Sequence, residues 1–254
     1  PATSFVAYRD EATTPKANAN VSRVTAADLD DLSAFLKSKY GYETGKYEGY
    51  SLQTTSFKTL FKFDYNINKT HRASLRYNQL RSYRDVLASN SSVVSGNRNG
   101  NQDAINFQNS NYRINNDIYS TIFELNSVFG SKLSNQFQVG FTANRDYRSS
   151  QSTPFPTVDI LSGGKTYTTF GYEPFTMNNI LNTNTFQAKD DISFYFGRHT
   201  LTTGVNFEAF RFENTFTPRY YGHYTFNSIA DFKAAANGDS TGIRRYFLTY
   251  SALP

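Results

Sequence analysis

From Phe57 to Phe212 apolar and polar residues alternate with a period of two, in three blocks. In the first, Phe57, Thr59, Phe61, Phe63, Tyr65 and Ile67 stand opposite Lys58, Leu60, Lys62, Asp64 and Asn66. After a turn at Asn68-Lys69-Thr70, Ala73, Leu75 and Tyr77 alternate with Arg72, Ser74, Arg76 and Asn78. In the second, Tyr119, Thr121, Phe123, Leu125 and Phe129 oppose Ser120, Glu124 and Asn126. Beyond Gly130-Ser131-Lys132, Phe137, Val139, Phe141 and Ala143 oppose Gln136, Gln138, Thr142 and Asn144. The third, Phe186 to Phe212, reads as two strands about a turn at Gly197-Arg198-His199. There Leu201, Thr203, Val205, Phe207 and Ala209 face away from Thr202, Gly204, Asn206, Glu208 and Phe210. Successive side chains on a strand point to opposite faces, so each block predicts a hairpin with one apolar and one polar face.

The connections between blocks are long. They run from about Ser82 to Asn116, from about Asp146 to Thr183 with Pro154, Pro156 and Pro174 as breakers, and from about Glu213 to Thr241. The last contains a short helix around Ser228 to Ala236. Before the first block, Thr25 can cap a helix with Asp28 at its third position; Leu29, Leu32, Phe35 and Leu36 fall on one face, and Gly41 supplies a stop. A strand candidate at Ser4 to Arg9 and a last strand near Arg245 bring the count to eight. Short turns all at one end and long loops at the other are the rhythm of an antiparallel transmembrane β-barrel, with short periplasmic turns and longer extracellular loops. The expected fold is therefore all-β: about eight strands of a larger barrel, with short helices in the extracellular loops.

Composition adjusts this picture in a few places. Aromatic residues make up 17%, all Phe and Tyr, with no Trp and no Cys. No run approaches the roughly 18 apolar residues of a membrane-spanning helix, whereas a barrel strand needs only every second residue apolar. The absence of Cys removes disulfides and thiolate chemistry. The net charge of +5 is scattered, which argues against nucleic-acid binding. The first residues, PATSFVAYRDE, lack the basic start and apolar core of a signal peptide, and both ends resemble interrupted strands. Residues 1–254 are expected to be one piece of a longer protein.

The alternation singles out a polar set on the side expected to face a lumen: Lys58, Lys62, Arg72, Arg76, Glu124, Asn126, Gln138, Asn144, Lys189, Asn206 and Glu208. On the lipid side, Arg81, Asp117, Arg145 and Arg211 lie far from the short turns, at an outer rim where Arg81, Arg145 and Arg211 can reach lipid phosphates or snorkel. Asp190 is the exception. It shares the face of Phe186, Ile192, Phe194 and Phe196 at an expensive depth, unless a β-bulge resets the strand or the strand stands clear of lipid. His71, His199 and His223 have no second ligand at metal spacing. Gly163-Gly164-Lys165-Thr166 resembles the end of a phosphate loop, but Asp159 occupies the place of its first glycine, leaving a tight turn. Neither Asp30-Asp31 nor Asp190-Asp191 forms a working acid–base pair, because adjacent strand residues diverge and the helical pair is solvated. No catalytic residue, cofactor or metal is expected.

The segments LFKFDYNINKTHRASLRYN and DLDDLSAFLKSKYGYETG, with FGRHTLTTGVNFEAFRFENTF and GHYTFNSIADF later in the chain, resemble TonB-dependent outer-membrane receptors of the Oar-like branch. The resemblance covers about Asp28 to the end. It implies a bacterial outer-membrane barrel of about 22 strands with an internal plug and a TonB-engaging segment, importing a scarce ligand. A plug, a TonB box and the remaining strands are not in this sequence, which corresponds to the earlier part of such a barrel. The expected partners are outer-membrane lipid, the TonB complex through other parts of the protein, and a small or oligomeric ligand. Two other readings stay open: a self-contained eight-stranded barrel with a structural or adhesive role, and a barrel protease or lipase.

Overall fold

The computed structural model describes residues 5–10 and 20–250. In chain order its elements are β1 (Val6–Tyr8), β2 (Val21–Thr25), α1 (Ala26–Tyr40), β3 (Thr54–Asn66), β4 (His71–Val86), β5 (Tyr112–Phe129) and β6 (Leu133–Ser150). They continue with β7 (Thr157–Ser162), β8 (Lys165–Phe170), β9 (Ile180–Phe196), β10 (His199–Thr215), β11 (His223–Phe226), α2 (Ile229–Ala236) and β12 (Ile243–Phe247).

The three alternating blocks form one antiparallel wall of six strands in the order β10-β9-β6-β5-β4-β3. The short turns fall where the alternation breaks. Asn68 accepts through Oδ1 from the N–H groups of Thr70 and His71, at 2.8 and 2.9 Å, and so closes the first turn with its own side chain. The strands run to 18 residues, longer than the loop boundaries in the sequence indicated: β4 continues past Ser82 to Val86, and β5 begins at Tyr112 rather than after Asn116. The wall is not closed; β3 and β10 each pair on one side only.

Two of the eight expected strands are not in the wall. The described part of the Ser4–Arg9 segment, Val6–Tyr8, pairs in parallel with β2, while Ser4 lies outside the described residues. The strand near Arg245 is β12, which joins a separate four-stranded sheet, β12-β11-β7-β8. The alternation in these segments was real, but they pair with short strands of the cap, Val21–Thr25 and His223–Phe226, rather than with the wall. The bulge considered at Asp190 is absent as well. Asp190 pairs with Phe137 on one side and Val205 on the other in unbroken register.

The long connections fold together into a cap at one end of the wall. Thr25 caps α1, its Oγ1 accepting from Asp28 N–H at 3.1 Å, and Gly41 ends the helix in the left-handed region at φ 64°, as the sequence predicts. The buried Leu29, Leu32 and Leu36 of α1 belong to one core with Ile105, Phe107, Val158, Ile160, Phe170, Phe226 and Phe232. Full burial of each such side chain contributes up to about 1.5–3 kcal/mol. Gly163 and Gly164, both at positive φ (59° and 79°), make the tight turn between β7 and β8. The outer edge of β8 is covered by the Asn-rich connection: the N–H groups of Ile105 and Phe107 donate to the carbonyls of Tyr167 and Thr169, each at 3.0 Å.

Candidate functional site

The register of the wall sorts the side chains into rows that run across the strands. All eleven polar residues singled out in the sequence lie on one face. All but Lys58 and Asn144 fall in three consecutive rows. These are Lys62–Arg76–Ile122–Gly140–Gln187–Glu208, Asp64–Ser74–Glu124–Gln138–Lys189–Asn206 and Asn66–Arg72–Asn126–Gln136–Asp191–Gly204. Their charges neutralise one another locally. Asp64 joins Lys62 and Arg72 at 3.1 and 3.3 Å, and Lys189 meets Asp191 at 2.5 Å. Glu208 accepts from Gln187 at 2.8 Å, and Asn126 donates to Glu124. The short Ser74 among these long side chains leaves a concavity of about 370 Å³ lined by Lys62, Asp64, Arg72, Arg76, Glu124 and Asn126. Asp64 and Asp191, which supply the acid of all three of these ion pairs, were missing from the sequence-derived set, although strand parity places both on this face.

The opposite face is apolar. One row reads Phe63–Leu75–Phe123–Val139–Ala188–Phe207 and the next Tyr65–Ala73–Leu125–Phe137–Asp190–Val205. Arg81, Asp117 and Arg145 are register neighbours, with Arg211 one row nearer the short turns. Each stands ten to twelve residues beyond its strand's end at the short turn. At about 3.3 Å per residue and a tilt of about 35–45°, that leaves a charge-free band of roughly 25–30 Å, close to the ≈ 25 Å apolar band of outer-membrane barrels. Asp190 alone interrupts it. Its carboxylate reaches one row towards the turns and accepts from Asn135 Nδ2 at 2.5 Å. The cost of placing it there is met by a hydrogen bond, not by a bulge.

A second built cluster sits in the cap. Arg98 donates from Nε and Nη2 to both oxygens of Asp159, each at 2.8 Å, and Asp159 also meets His223 Nε2 at 2.8 Å and Thr169 Oγ1 at 2.7 Å. Arg98, Asp159 and His223 are all buried, and His223 Nδ1 has no hydrogen-bond partner among the described residues. Burial alone would raise the Asp159 carboxyl, but the hydrogen bonds and charge of Arg98 and His223 outweigh it and hold the group well below the usual carboxylate range. Arg98 is 61 residues from Asp159, and His223 is 64 from it, so no local motif announced the cluster. The other histidines are ordinary: His71 bonds Ser127 Oγ at 2.7 Å and His199 is exposed beside a turn. Asp30 accepts from Tyr47 Oη at 3.0 Å and Asp31 pairs with Lys233, both on the exposed side of α1.

Residues 1–250 match the family model described as "Outer membrane beta barrel domain". Among solved structures the chain is similar to the outer membrane transporter YddB from Escherichia coli, at 13% identity and a TM-score of 0.44. The match covers 69% of this chain and 21% of that one, so this chain spans about a fifth of that protein's length. A search of the curated proteins found no match.

Proposed function

From the premise that the chain belongs to the outer membrane beta-barrel domain family and so resides in the bacterial outer membrane, we propose that it is wall and cap of a TonB-dependent transporter of the Oar-like branch. The eleven polar residues then line its lumen. The observation that carries this reading is the two-faced wall. One side presents an unbroken apolar band apart from Asp190, and the other presents paired charges around a polar concavity. A structural barrel needs only the first. Lumen charges arranged in mutually neutralising pairs suit a wetted passage that is filled by a polar plug between transport events. The apolar band takes membrane lipid as its partner, and Arg81, Arg145 and Arg211 lie at the headgroup level. In this reading the cap, built from every long connection, covers the extracellular mouth and takes part in ligand capture. The test is uptake and growth of the native bacterium on complex nutrient sources, with the full gene intact or deleted, in the presence and absence of TonB. Loss of the same uptake on deleting either gene is the expected result. A deletion phenotype confined to surface adhesion, and indifferent to TonB, would replace transport by the structural or adhesive reading.

A further inference from the structure

Above the charged rows, the polar face of the wall changes character. The next row towards the cap, Leu60–Asn78–Ser120–Thr142–Thr185–Phe210, carries no charge, and the one beyond it, Lys58–Leu80–Ile118–Asn144–Thr183–Phe212, carries charge only at its β3 edge. Hydroxyls and carboxamides fill the first of these rows between Leu60 and Phe210, and Asn144 and Thr183 continue them in the second, beside Leu80 and Ile118. Ser120 Oγ and Thr142 Oγ1 are 2.9 Å apart. At the β10 end, Phe210 and Phe212 are 54% and 65% exposed, with ring centroids 6.0 Å apart and planes within 13°. They form an exposed platform of two nearly parallel, stacked rings beside a strip of neutral polar groups.

We propose that this belt is a subsite for a neutral oligosaccharide; the assignment rests on the lumen reading of the polar face. Three features select that class of ligand. The platform offers two parallel ring faces, which suit the apolar C–H faces of consecutive sugar rings. Hydroxyls and carboxamides both donate and accept, as sugar hydroxyls do, so Asn78, Ser120, Thr142, Asn144, Thr183 and Thr185 can satisfy them in either sense. The belt itself carries a single cation, Lys58 at its β3 edge, and so lacks the cationic cluster that an acidic glycan or an anionic chelate would need; Arg72 and Arg76 lie in the charged rows below it, and Arg84 and Arg148 lie two rows above it, next to the cap. The division of labour follows: a charged lower wall holds polar protein, and a neutral upper wall holds the ligand.

The test uses the full-length protein in detergent micelles and isothermal titration calorimetry with maltohexaose and cellohexaose. Trigalacturonate serves as the acidic probe and Ala-Phe-Ala as the peptide probe. Binding of a neutral hexasaccharide is expected, weakened about tenfold or more by the double substitution Phe210→Ala/Phe212→Ala and severalfold by Thr142→Val. Thr142→Val removes a hydroxyl at nearly constant volume, and heat-modifiable migration on gels verifies that both variants remain folded. Binding of trigalacturonate or of the peptide instead, no binding of either hexasaccharide, or affinity unchanged by the substitutions would overturn the proposal. Failure of the transport reading looks different: uptake would persist without TonB, whatever ligand the belt holds.

Discussion

At the scale of single residues, the least replaceable side chain described is Asp159. Among the described residues it is the only carboxylate bonded to the buried Arg98, so removing its charge leaves the guanidinium in the cap core with neutral acceptors, the carbonyls of Ser89 and Ser91 among them, and no counter-charge. Breaking a buried pair from one side costs about 3–5 kcal/mol. Asp159→Asn is therefore expected to loosen the cap, read as faster amide hydrogen exchange at Leu29 to Leu36 in the full-length protein while the wall strands keep their protection. Because the folded carboxyl titrates below its unfolded value, its contribution is complete above the unfolded value of about 3.9 and fades only as pH falls through the lower, folded one. Glu173 has the opposite sign. Burial pushes its carboxyl up, against hydrogen bonds from Thr176 Oγ1 and Phe175 N–H, and its Oε1 has no partner among the described residues. Ionising it costs stability as pH rises from the unfolded value through the folded one. Glu173→Gln should then stabilise the cap at pH 7 by about 1 kcal/mol, with the advantage gone at pH 4. An advantage independent of pH would count against this account.

At the scale of elements, strand parity does the sorting, and it makes the membrane band testable position by position. Phe141 lies within the band and Arg145, two positions along the same face of β6, at its boundary. Phe141→Arg in the full-length protein should lower the folding stability measured in lipid vesicles by about 2–4 kcal/mol, whereas an arginine at the boundary costs about 0–1. Asp190→Val should be neutral or stabilising in the same assay, since it removes the one charge in the band. Asn135→Ala should cost more than an ordinary surface change, because it takes away the amide that holds that carboxylate. The wall hairpins were legible in the sequence because their contacts are local: turn residues, period-two alternation and antiparallel neighbours joined by a few residues. The helix cap at Thr25 was legible for the same reason; the cap at Ser228, whose Oγ accepts from Asp231 N–H, came from the structure.

At the scale of the whole molecule, the two faces make one further prediction. The chain has no cysteine, so single introduced thiols can be read without background from this segment. In vesicles, Asn206→Cys on the polar face should react with a water-soluble maleimide, and its neighbour Phe207→Cys on the apolar face should react only after detergent is added. Equal labelling of both would refute the face assignment. The candidate site was largely legible at this scale: parity found the eleven polar residues, and register then gathered most of them into three rows. What parity could not supply was their pairing. That Arg72 of β4 meets Asp64 of β3, or that the nearly neutral belt lies directly above the charged rows, depends on the stagger between strands.

The sequence read β2, β7, β8 and β11 as parts of connections, but by itself it determined the six wall strands, which face of each is apolar, where the short turns lie and where the two helices begin. All of these follow from interactions within a few residues and from the strict geometry of the strand. Tertiary structure decided that six strands, not eight, make the wall, and that Val6–Tyr8 and Ile243–Phe247 belong to the cap. It also decided that Arg98, Asp159 and His223 meet. Those outcomes depend on pairing between segments tens of residues apart, where a short alternating stretch fits equally well against several partners. Only the packing of a shared core selects among them.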